Sequence, residues 1–115
     1  MQLRKPTSDE LRVLESLISK AVGFPHDENW KAKLRVAGMN DGGMGSLRLF
    51  PKGIVSEKRV FGRQLSDCKF ADADGTQVVA SLNADQNGEL FELDIWKTDF
   101  GKLLRIPEQI TETPT

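Results

Sequence analysis

The sequence predicts a two-layer α+β domain. An N-terminal amphipathic helix packs on a four- to five-stranded, mainly antiparallel meander sheet, and a short helix closes the C-terminal end. Three observations carry that expectation. Apolar residues in the first 22 positions recur at helical spacing. From residue 31 the apolar period changes to two. Clusters of Asn, Asp and Gly then separate the strand-like stretches.

Residues 1–6 read as a short leader. Thr7-Ser8-Asp9-Glu10 is a capping box, in which Thr7 and Glu10 each satisfy the other's backbone N–H. Leu11, Leu14, Leu17, Ile18, Ala21 and Val22 line one face of about four turns, and Gly23 and Pro25 end the pattern. Lys31–Met39 reads as a strand with Leu34 and Val36 on one side. After the turn Asn40-Asp41-Gly42-Gly43, Met44–Phe50 alternates Leu47 and Leu49 against Ser46, Arg48 and Phe50. Pro51-Lys52-Gly53 breaks that strand, and Ile54–Gly62 fits either a short strand around Arg59–Phe61 or a loop. Arg63–Ala71 and Thr76–Ala84 are further strands, joined at Asp72-Ala73-Asp74-Gly75.

Glu89–Lys97 has the clearest alternation. Phe91, Leu93 and Ile95 form an apolar row, while Leu90, Glu92, Asp94 and Trp96 form an acidic and aromatic one. A two-residue Asn87-Gly88 turn sets Ala84 by Phe91, Leu82 by Leu93 and Ala80 by Ile95. The other face then holds Val79 by Trp96, Ser81 by Asp94 and Asn83 by Glu92. At the preceding hairpin a two-residue turn would drive Lys69 and Asp67 into the core. An odd loop with Gly75 in the left-handed region avoids that, placing Phe70 by Val78 and Cys68 by Ala80, with Cys68 buried. Residues 98–106 are read as a short helix capped by Thr98 or Asp99, and 107–115 as a loose tail. The chain is thus one domain, 1–115, ordered over about 7–107.

Sixteen basic and 17 acidic side chains leave a net charge of −1, with no long run of one sign. That disfavours nucleic acid, whose phosphates call for a basic stripe. No apolar run approaches the roughly 20 residues of a membrane span, and charges interrupt any signal-peptide core in residues 1–22. A single cysteine excludes an intrachain disulfide and fits a reducing compartment. A cytoplasmic protein that uses no cofactor and binds neither nucleic acid nor membrane is expected.

Several constellations are weighed against plainer readings. Asn83, Asp85, Asn87 and Asp94 fall at calcium-loop spacing around Gly88, but an extended 89–97 segment cannot wrap Asp94 back to the turn. They are weak metal candidates, and a turn-rich hairpin explains them better. Asp41–Ser46 could cradle an anion with backbone N–H groups, although a strand follows where phosphate loops open a helix. A Cys68–His26 dyad conflicts with a buried Cys68. Glu92 and Asp94 could divide acid and base roles or hold a metal with help from Asp67, Asp72 or Asp99, or simply pair with Lys69, Arg48 or Arg35. Trp96 breaks the polar pattern. Either Leu103, Leu104 and Ile106 fold over it, which the reading favours, or a partner does.

Asp41-Gly-Gly-Met-Gly-Ser-Leu47 and Glu89-Leu-Phe-Glu-Leu-Asp-Ile-Trp-Lys-Thr-Asp-Phe100 resemble a family of small bacterial proteins of unknown function. The Asp72-Ala-Asp74-Gly75 turn and the N-terminal helix match as well, so the likeness covers most of residues 7–107. It implies one compact domain and no catalytic residue. Such proteins occur in mobile gene cassettes or beside toxin genes, which by analogy implies an immunity or adaptor role.

The leading expectation is therefore a non-enzymatic binding module whose patch comprises Arg48, Glu92, Asp94 and Trp96, with Ser46 and Asp99, and whose partner is a protein or a second copy. A small-ligand or metal-assisted enzyme using the carboxylates is the second, and needs a concave pocket. A calcium-stabilised fold at 83–94 is the third.

Overall fold

The computed structural model describes residues 2–56 and 58–110. Its elements are α1 (Ser8–Lys20), α2 (Trp30–Lys33), β1 (Arg35–Gly38), β2 (Leu47–Phe50), β3 (Phe61–Ala71), β4 (Gln77–Asp85) and β5 (Leu90–Lys97). The expected α+β architecture is present, with one long helix against a five-stranded antiparallel sheet. No described helix is long and apolar enough to cross a membrane.

Both halves of the capping box form. Glu10 N–H donates to Thr7 Oγ1 at 3.1 Å, and Thr7 N–H donates to Glu10 Oε1 at 2.8 Å. Val13, Leu14, Leu17 and Ile18 are buried against a core that includes Phe70, Val78, Leu82, Leu93 and Ile95. Each such leucine contributes roughly 2 kcal/mol by leaving water. The leader is tied down, because Arg4 exchanges backbone hydrogen bonds with Val36 (2.9 and 2.8 Å) and covers part of the outer edge of β1.

Residues 31–33 depart from the expected strand. Trp30–Lys33 makes one helical turn, which brings Trp30 and Leu34, four apart, to the core together. Their apolar spacing fits a period of two as well as a helical turn, which is why the sequence misled. The sheet order is β1-β2-β5-β4-β3. A strict meander would set β3 beside β2. Instead residues 51–60 carry the chain to the far edge, and β5 becomes the central strand.

The hairpin predictions meet the structure closely. Phe70 faces Val78 and Cys68 faces Ala80 across a loop in which Gly75 has φ +83°, and Cys68 is buried. Ala80 faces Ile95 and Leu82 faces Leu93, with Val79 by Trp96, Ser81 by Asp94 and Asn83 by Glu92 on the other face. One pair differs. A register shift after Asn83 sets Ala84 opposite Leu90 rather than Phe91. This bulge brings Leu90 into the core cluster and leaves Phe91 outside it, buried under two guanidinium groups.

Residues 98–106 form a turn and an irregular strap, not the expected helix. Their backbone N–H groups are satisfied elsewhere. Asp72 Oδ2 accepts from Leu104 N–H (2.8 Å) and Asp72 Oδ1 from Arg105 N–H (2.9 Å). A helix would have to give up both bonds. Of the expected loose tail, residues 111–115 lie outside the described residues.

Candidate functional site: the open sheet face and its aromatic turn

The face of the sheet opposite α1 is built by the residues that alternate outward from β2, β4 and β5. Near one end a loop covers it. Arg59 lies over Phe50 and Phe91, with centroid distances of 5.9 and 5.2 Å. Its guanidinium donates to Asp85 Oδ2 (2.8 Å), to Leu49 O (2.7 Å) and to Leu90 O. A planar fork suits this position, because one side chain meets three oxygens while its face stacks on rings. Nothing in the local sequence signals this latch, since a lone arginine in an ambiguous stretch reads as surface.

Arg48 and Glu92 are direct cross-strand partners, 3.6 Å apart, and Arg48 also lies 4.8 Å from the Phe91 centroid. This is the Arg48 pairing that the sequence offered as the plainer role for the carboxylates. Asp94, one step along the row, is exposed. Ser46, expected in the patch, is buried. Its hydroxyl accepts from Ile95 N–H at 2.9 Å and lies 3.2 Å from Ile95 O and 3.4 Å from Asp94 Oδ1. It ties the loop before β2 to β5 and does not present itself to a partner.

Trp96 remains 43% exposed. The tail does not cover it as favoured from sequence. Ile106 enters the core and Leu103 packs against it, while Leu104 points to solvent. The neighbour of Trp96 is instead Phe100, with ring centroids 6.1 Å apart and planes at 59°. Phe100 is 71% exposed and has φ +61°, the one positive value at a non-glycine among the described residues. Its N–H donates to Lys97 O (2.8 Å), and Asp99 Oδ1 accepts from Gly101 N–H (2.8 Å), so the turn is held from both sides. Asp99 therefore shapes the turn as well as lying beside the aromatic pair. Phe100 is not legible from sequence because 98–106 carries helical signals, which leave no place for a displayed turn.

Behind that turn sits an ionic node. Lys97 is only 2% exposed, and its ammonium meets Asp72 Oδ2 (2.9 Å), Asp74 Oδ2 (2.7 Å) and Lys102 O (3.0 Å). Burial pushes the Asp72 carboxyl up, but the Leu104 N–H, the Lys97 ammonium and the Ala73 and Arg105 N–H groups outweigh it and bring it down to about 2.

The remaining candidates do not assemble. Asp85 is engaged by Arg59 and by the Asn87 and Glu89 N–H groups (2.8 and 3.0 Å). Asn87 stays in the turn, Asn83 faces Glu92 across the ladder, and extended β5 carries Asp94 away from both. No cluster of three or more His, Cys, Asp or Glu side chains suited to a metal occurs among the described residues. The glycine-rich loop's N–H groups hold the chain's own anion, since Asp41 accepts from Met44 (3.1 Å) and Ser46 (2.9 Å). Cys68 lies in the core, whereas His26 stacks on Phe24 in an exposed loop.

Comparison with curated proteins and with solved structures finds no match. A family model described as Domain of unknown function (DUF6984) matches residues 3–107, and the chain belongs to that family.

Proposed function

We propose that this protein is a non-enzymatic interaction module that docks a protein partner, or a second copy of itself, on the Trp96–Phe100 pair and the charged row Asp94, Glu92 and Arg48 beside it. The observation that carries this reading is Phe100. A bulky residue is held in the left-handed region at a cost of about 1 kcal/mol, with its ring in solvent against a half-exposed tryptophan. A ring 71% exposed at a strained backbone position contributes little burial to folding in return. Aromatic rings flanked by charge are the composition of a binding hot spot. By analogy, the module is proposed to serve as an immunity- or adaptor-like protein.

Phe100→Gly and Trp96→Ala test this directly. Glycine relieves the backbone, so Phe100→Gly is expected to raise stability by up to about 1 kcal/mol. Trp96→Ala gives up a half-buried ring and its cross-strand place beside Val79, for an expected loss of about 1–2 kcal/mol that leaves the protein folded. Both are expected to abolish self-association in sedimentation velocity, or retention of the proteins that wild type holds in a pull-down. If both variants associate as wild type does, the reading fails.

A further inference from the structure

We propose that a second site, at the other end of the sheet, binds a small aromatic zwitterion of the chemical class of a free aromatic amino acid. Three chain segments converge there: the loop between α1 and α2, the turn after β2, and the turn before β5. They line a cleft of about 200 Å³ that opens to solvent. Phe24, His26 and Trp30 form its aromatic walls, with Leu90 and Pro51 completing the apolar lining. The Phe24 and His26 rings stack nearly parallel, 10° apart in plane with centroids 6.2 Å apart, so this wall of the cleft is aromatic and suited to packing against another ring.

The site is preformed where it needs to be. Trp30 is buried, Phe24 packs against the core, and the bulge in β5 turns Leu90 to the core side. An apolar cavity of about 150 Å³ suffices to hold benzene, so one ring with a short chain fits this space. Loops set on a rigid sheet end are where binding residues concentrate.

The polar groups at the opening set the ligand class. Lys52 and Glu89, 3.4 Å apart, line the cavity with side chains 73% and 44% exposed. A surface pair this exposed is weakly held and opens readily. Opened, it offers one cation to a carboxylate and one anion to an ammonium. The same two residues also line a neighbouring cavity of about 190 Å³, so their side chains have room on either side. Asp27 and Lys33, also at the lining, are paired with each other and leave no net charge to favour a singly charged ligand.

The test is a titration of the full chain with L-phenylalanine, followed by heteronuclear NMR. The Trp30 indole N–H and the Gly88 amide are expected to shift saturably with a Kd on the order of 1 mM, while the Trp96 indole N–H stays in place. Phenethylamine and hydrocinnamate, each lacking one of the two charges, are expected to bind several-fold more weakly. Lys52→Ala, at an exposed position that leaves the fold intact, is expected to weaken L-phenylalanine to the level of phenethylamine. No saturable shift at Trp30, equal binding of the singly charged analogues, or unchanged binding by Lys52→Ala would each overturn the proposal.

Discussion

The two ends of β4 solve the same local problem and differ in what they fasten. Each is a hairpin of the form Asp-x-x-Gly, Asp72–Gly75 at one end and Asp85–Gly88 at the other. In each the glycine N–H donates to the aspartate carbonyl (2.9 and 3.0 Å), with glycine φ of +83° and +82°. In each the aspartate carboxylate is buried and paired with a cation. Asp85 spends its acceptors on its own turn and on Arg59, which pins the 51–60 crossover onto the open face. Asp72 spends its acceptors on Lys97 and on the backbone of the C-terminal strap. The first end therefore closes part of the sheet face, and the second fixes the base of the turn that presents Phe100. The same motif serves coverage in one place and display in the other.

The largest effect expected from this contrast is Asp72→Ala. It strands Lys97 with one fewer counter-charge in a dry site and orphans two strap N–H groups, for a loss of about 4 kcal/mol. Asp85→Ala likewise orphans two N–H groups, those of Asn87 and Glu89, but it leaves Arg59 its two carbonyl partners and a guanidinium less completely buried than the Lys97 ammonium, so a smaller loss of about 2–3 kcal/mol is expected. Urea denaturation of the pair measures both, and equal losses would erase the distinction between the ends. Arg59→Lys keeps the charge but forfeits the fork and the ring stacking, for a loss of about 1–2 kcal/mol. Hydrogen exchange should localise that loss to 51–60 and leave the strap protected.

Acid unfolding sharpens the same contrast. Burial raises both carboxyls, but their hydrogen bonds and cations more than offset it, so both titrate below the ordinary value, Asp72 at about 2. A folded pKa below the unfolded one means the stabilisation is complete above the unfolded pKa and is lost as the pH falls. Stability is expected to be level above about pH 5 and to decline from about 4 toward 2. In Asp72→Asn, a less stable protein, that decline should be shallower, because one of the depressed groups is gone.

Much of this was legible because it depends on neighbours in sequence. The capping box needs only Thr7 and Glu10, and both of its bonds form. The odd loop before β4 followed from parity alone, since an even one would have buried Lys69 and Asp67, and Cys68 sits where that argument put it. The outward row Asp94, Glu92 and Trp96 came from alternation along one strand, and its cross-strand partners are the expected ones.

What the tertiary structure decided involves groups far apart in the chain or patterns with two readings. Leu90 and Phe91 are both apolar, so alternation could not say which faces the core, and a bulge settled it. Lys97 closing a strand reads as solvated, and only the return of Asp72 and Asp74 from another hairpin makes its burial affordable. The strap at 98–106 has helical signals in isolation, yet Asp72 takes the N–H groups a helix would need. Local sequence sets which way a side chain points when one hydrogen-bond pattern is on offer. Where a distant carboxylate or cation offers another, the three-dimensional arrangement chooses.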